Sequence, residues 1–140
     1  MHITYNLSHV FHPESSSTDD GYVLRFMLDA LIKIDLIYVR RYSPKTLYQS
    51  GVIYGRTVLW EPIPALYDRQ YGDCKSLSAA RIAELLYAGV PAKPVFRWVK
   101  RDDGGKDFHI LVQTVAGFED PSRKLGMGSD ECAKFYDKDE

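Results

Sequence analysis

Three residues in the chain are of the types that together perform acyl transfer: Cys74, His109 and Asp120. A thiol nucleophile needs a lowered pKa, a base within reach, and donors for the oxyanion that forms when a carbonyl is attacked. The first turn of a helix supplies the first and the third. Its unpaired N–H groups carry partial positive charge and point at whatever sits on the tip. Cys74 stands where such a turn should begin, directly after Gly72 and Asp73. Asp73 is the expected N-cap, and Gly72 allows a sharp bend and the close approach of a substrate. A carboxylate beside a thiol raises its pKa, an effect reduced when helix N–H groups engage it. His109, the only histidine in the second half of the chain, is the expected base. Asp120 is the expected orienting acid, accepting the second N–H of the imidazole. Taken singly, each has a plain structural reading: a small core residue, a strand histidine, an Asp-Pro turn. Their order, on a helix tip and two successive strands, is what joins them.

The elements that must position these groups follow from hydrophobic period and punctuation. From Cys74 to Ala88 the composition favours a helix, and Gly89 stops it. Lys75, Ser78, Arg81 and Glu84 recur every three residues as one narrow polar stripe, and the remaining faces are apolar. Such a helix is expected to be central and buried on most sides. After Val90-Pro91 the period becomes two. Val95 to Val99 reads as a strand, Asp102 to Gly105 as the turn, and Phe108 to Val115 as the returning strand. Phe108, Ile110 and Val112 then share one face, and His109, Leu111 and Gln113 the other. Phe118 to Asp120 reads as a third short strand, stopped by Pro121.

Upstream, residues 1–16 read as an extended arm and a serine-rich loop. Thr18 and Asp19 offer N-caps for a helix reaching Arg40 or Tyr42, and the β-branched and aromatic run from Ile34 to Val39 marks a point where it can break. Ser43-Pro44 ends it. Between residues 45 and 68, Pro62 and Pro64 exclude a regular helix, leaving a loop with short local structure that lines a groove. Residues 129–140 read as a polar, acidic, frayed tail in which Cys132 is inert. The expected architecture is one α+β domain over residues 1–128, its arm and helix in 1–44 and its motif-bearing core in 45–128. The cysteine-bearing helix packs on a small antiparallel sheet.

Tyr71-Gly72-Asp73-Cys74-Lys75-Ser76-Leu77, Ala88-Gly89-Val90-Pro91-Ala92, Phe108-His109-Ile110-Leu111-Val112 and Glu119-Asp120-Pro121-Ser122 form a set that resembles the transglutaminase-like superfamily, whose fold is papain-like. The resemblance covers about residues 47 to 128. With Leu47 to Val52 upstream and Asp120 to Met127 downstream, the chain is most similar to small transglutaminase-like proteins of bacteriophages. The resemblance implies Cys74 as nucleophile, His109 as base and Asp120 as orienting acid. Relatives often carry acidic residues after the cysteine, where this chain has Lys75-Ser76; Lys75 favours the thiolate and alters the groove.

The implied function is a thiol-dependent acyl-transfer enzyme (an amide or ester hydrolase, protease or amidotransferase) working through an acyl-enzyme on a protein or peptide. The alternative is a non-catalytic binding or assembly protein that retains the fold, such as a phage virion or morphogenesis component with phage structural proteins as partners. The backbone N–H of Cys74 is the expected oxyanion donor, Gln70 and Trp60 are side-chain candidates, and Tyr71 is the tyrosine expected to touch a substrate.

Composition narrows the rest. A formal net charge of -1, with no basic stripe beyond the pairs Arg40-Arg41 and Lys100-Arg101, removes the electrostatic reason to expect nucleic acid or an anionic membrane. Two cysteines imply no disulfide framework and no thiolate zinc cage. His9 and His12 share a helical spacing, but Pro13 follows and no acidic or thiol partner is near, so no metal is expected, and no cofactor. The apolar stretch Tyr22 to Val39 is interrupted by Arg25, Asp29, Lys33 and Asp35, which argues against a membrane span. Met1 to Tyr5 lacks the features of a signal peptide. The expected location is the cytoplasm, or a virion if the chain is phage-encoded.

Overall fold

The structure, a computed structural model, describes residues 17–136, with side chains from Gly21 onward. The arm, His9 and His12 lie outside the described residues. The first helix, α1 (Ser17–Tyr42), runs without a break, so Thr18 and Asp19 lie inside its first turn and the interruption expected at Ile34 is absent. The reason is packing. Leu28, Leu31, Ile32, Asp35 and Val39 are all buried at helical spacing, and that single face overrides the strand preference of the Ile34–Val39 run. The helix stops at Ser43, in a left-handed conformation with φ of 44°, just before Pro44.

Residues 45–72 hold more structure than the prolines suggest. A 3-10 turn (Leu47–Gln49) and a two-residue strand, β1 (Ile53–Tyr54), precede a second helix, α2 (Ile63–Arg69), and a strand β2 (Tyr71–Gly72) that pairs parallel with β1. Pro62 caps α2 and Pro64 stands in its first turn, where a missing N–H costs nothing. A distant residue satisfies the helix start: the buried Asp35 of α1 accepts the Ile63 N–H at 2.8 Å.

The cysteine-bearing helix, α3 (Cys74–Tyr87), is central, as its composition implies. One apolar cluster packs it against α1 and the sheet through Cys74, Ala79 and Ile82 with Leu28, Phe96, Ile110 and Val112. A second packs its other side against residues 47–66 through Leu77, Ala80 and Ala83. Its polar stripe is therefore not solvated. Ser78 Oγ donates to the Ile110 carbonyl at 3.2 Å, Arg81 donates to both oxygens of Glu119 at 2.6 and 3.2 Å, and Glu84 accepts the Leu47 N–H at 3.0 Å. The stripe is a seam of hydrogen bonds that fixes the helix in the fold.

The sheet has the order β3-β4-β5, all antiparallel: β3 (Lys93–Lys100), β4 (Lys106–Thr114) and β5 (Gly117–Glu119). In the β3–β4 register His109 lies opposite Arg97. The mixed α+β class with a small antiparallel sheet is thus as expected. Two details differ. Asp120 does not end the strand; it is the N-cap of a short helix, α4 (Pro121–Lys124), accepting the Arg123 N–H at 3.2 Å. The supposed tail folds as well. It forms α5 (Ser129–Ala133), and Cys132 and Phe135 are buried, so apolar residues in an otherwise polar segment anchor it to the domain through Tyr136.

Candidate active site

Four segments converge on one cavity of about 660 Å³, whose walls include Cys74 from α3, His109 from β4, Trp60 from the loop before α2, and Phe135 from beyond α5. The convergence has a local cause. β5 pairs with β4 at Thr114 and Val112, and ends there. Two residues further along, Ile110 is paired with Phe96 of β3 but has no partner on the β5 side, and α3 takes that place. The Ile110 carbonyl accepts from Ser78, and its N–H faces the sulfur of Cys74, one turn earlier on the helix. A helix that lies against this sheet edge therefore brings its N-terminal thiol to the cavity that His109 also lines.

Asp73 caps α3 as expected, accepting the Lys75 N–H at 3.3 Å. Lys75, only 5% exposed, bonds Asp73 Oδ2 at 2.5 Å and the Thr57 carbonyl at 2.8 Å. It thereby ties the 55–61 loop, which forms the cavity rim, to the helix tip. Gly72 plays a different part from the one its position suggests. A side chain there would meet Leu66 Cδ1 at 2.6 Å, so glycine permits α2 to pack against α3 and does not serve to admit a substrate.

The electrostatics of the thiol depart from expectation. Cys74 is 8% exposed. Burial pushes its pKa up to about 12, and Asp73 adds to the rise. The Ile110 N–H and the Lys75 ammonium pull the other way, without compensating. The resting thiol is thus protonated, because removal from water outweighs the helix tip. Among the described residues no hydrogen bond joins Sγ to the imidazole.

His109 is 1% exposed, and its Nε2 lies 2.9 Å from Asp120 Oδ2. Burial raises the Asp120 pKa, but bonds from His109, from the Tyr136 hydroxyl and from the Arg123 N–H outweigh it and hold the carboxyl below its ordinary value. An ionised carboxylate only accepts, so Nε2 is the donor in this bond. Phe135 covers the imidazole, with ring centroids 5.2 Å apart at 31°.

Of the remaining sequence candidates, Trp60 lines the cavity, 5.7 Å from the Lys75 ammonium. Gln70 and Tyr71 do not. Gln70 turns away in a left-handed conformation and donates to the carbonyls of Tyr67 and Ser50, and Tyr71 lies under the Arg69 guanidinium. The sequence reading also missed Cys132, Phe135 and Tyr136. The Cys132 sulfur, His109 and Asp120 present ligand atoms within 4.8 Å of one another, a donor set that suits zinc. Each is already engaged, however: His109 with Asp120, Asp120 with Tyr136 and Arg123, and Cys132 with the Met127 carbonyl at 3.9 Å. No donor is left orphaned to ask for an ion. The one signal for these residues was an aromatic pair, Phe135-Tyr136, in a polar tail. Comparison of the chain with protein-family models, with curated proteins and with solved structures returned no match.

Proposed function

We propose that the chain is a thiol-dependent acyl-transfer enzyme of transglutaminase-like, papain-like type. The observation that carries this reading is the buried His109–Asp120 pair at 2.9 Å, whose imidazole lines the same cavity as Cys74 on its helix tip. The sulfur turns from the Ile110 amide toward the imidazole, and its proton passes to Nδ1 as Sγ bonds the substrate carbonyl carbon. The oxyanion is stabilised by the Cys74 backbone N–H. The tetrahedral adduct collapses, and the leaving amine or alkoxide takes the proton from Nδ1. Water or an amine then attacks the thioester, giving its proton to Nδ1, and the thiol is restored. Burial pushes the Cys74 thiol pKa up, so proton transfer to His109 accompanies attack. The cavity, at about 660 Å³ and open at the 55–61 rim, suits a side chain or short peptide segment.

The buried, protonated state of Cys74 also favours a second reading, a binding or assembly protein that keeps the arrangement without turnover. An activated ester separates the two. The enzyme reading expects an acyl adduct on Cys74 and none on Cys132, abolished in Cys74→Ala, slowed at least about a hundredfold in His109→Ala and retained in Cys132→Ala. Equal, slow acylation of both cysteines, or a His109→Ala variant as fast as the parent, supports the binding protein.

A further inference from the structure

We propose that Tyr136 is a positioning residue for the reaction at Cys74, acting through the Asp120 carboxylate that orients His109. The inference deepens the functional reading above and rests on it. The Tyr136 hydroxyl donates to Asp120 Oδ2 at 2.9 Å, the same oxygen that accepts from His109 Nε2. With the Arg123 N–H on Oδ1 at 3.2 Å, the carboxylate is fixed at both oxygens from three different elements. The hydroxyl is itself placed by the folded segment that runs from α5 to Tyr136. Glu131 pairs with Arg56 at 2.5 Å, Lys134 with Asp107 at 3.6 Å, and Phe135 covers the imidazole. The Arg123 guanidinium lies 5.8 Å from the centre of the Tyr136 ring.

Tyr136 does not line the cavity that holds Cys74. It lines a separate one of about 470 Å³ behind Asp120, together with Arg97, Phe118 and Lys124. Its influence can therefore reach a substrate only through Asp120 and His109. That separation divides the kinetic constants. A residue that touched substrate would change KM, whereas loss of an orienting bond lowers kcat and leaves KM alone. The hydroxyl is also one of the donors that keep Asp120 ionised, so removing it moves the carboxylate titration upward. The other groups facing Asp120 are His109, Cys132, Arg97, Glu119, Arg123 and Lys124, and all remain in a Tyr136→Phe variant, which keeps the ring and loses only the hydroxyl.

The test compares the parent and Tyr136→Phe as full-length chains, by ester turnover across pH and by carbon NMR of the Asp120 carboxylate. The expected result is a fall in kcat of about tenfold at unchanged KM. The acid limb of kcat and the Asp120 midpoint should both move to higher pH. A variant equal to an active parent in kcat, or one whose loss lies in KM, overturns the role of Tyr136 alone. So does an Asp120 midpoint that stays in place. A parent that never acylates at Cys74 overturns the enzyme reading, and this role falls with it.

Discussion

Asp35 offers the sharpest check on how this fold is held. It is fully buried in α1, accepts the Ile63 N–H at 2.8 Å through Oδ1, and has no partner for Oδ2 among the described residues. Burial raises its pKa to about 8, a rise that the Ile63 bond only partly offsets. The native state therefore keeps a proton that the unfolded chain loses near pH 4. Between those values the unfolded state binds fewer protons than the native state, so stability is fully present below about pH 4 and declines as pH rises toward 8. The slope approaches about 1.4 kcal/mol per pH unit, and the total is on the order of 5 kcal/mol, an upper bound because water entry and local relaxation soften the burial.

Asp35→Asn removes the titration and keeps the acceptor for Ile63. Its amide N–H₂ replaces Oδ2 where no acceptor is available, costing about 1–3 kcal/mol. The variant's stability should stay level where the parent's falls, so the difference between them should move in the variant's favour by up to about 1.4 kcal/mol per pH unit between pH 5 and 8. Urea unfolding at pH 5, 6, 7 and 8, read as midpoint times slope, measures this directly. Parallel curves with a constant offset would refute the reasoning, since they would mean that Asp35 is ionised throughout.

Two further outcomes follow from the seam around α3. Lys75→Met leaves Asp73 buried without its cation, which should cost about 3 kcal/mol in urea unfolding. It should also shift the pH profile of Cys74 alkylation upward, because the ammonium lowers the thiol pKa; an unshifted profile in folded protein would contradict the assigned contact. Ser78→Ala removes the bond to the Ile110 carbonyl and should cost about 1–2 kcal/mol. An unchanged urea midpoint would show that α3 does not close the β4 edge.

Local signals determined much of this protein from sequence. The helix from Cys74 with its Asp73 cap and Gly89 stop, the hairpin around Asp102–Gly105, and the alternation that sets His109 against Ile110 are legible because each depends on neighbours a few residues apart. Cys74, His109 and Asp120 could be singled out as candidates because their residue types and order suit an acyl-transfer chemistry. What sequence could not give was decided between distant segments. A helix can begin at Ile63 because Asp35, 28 residues earlier, satisfies its first N–H. The run from Ile34 to Val39 stays helical because its buried face fits α3 and the loops. The polar stripe of α3 turns inward because Ile110, Glu119 and the 45–72 segment supply partners for it. The thiol is protonated because burial is a property of the assembled fold, and no local pattern reports it. Phe135 and Tyr136 join the site through contacts with His109 and Asp120 that only the assembled fold makes.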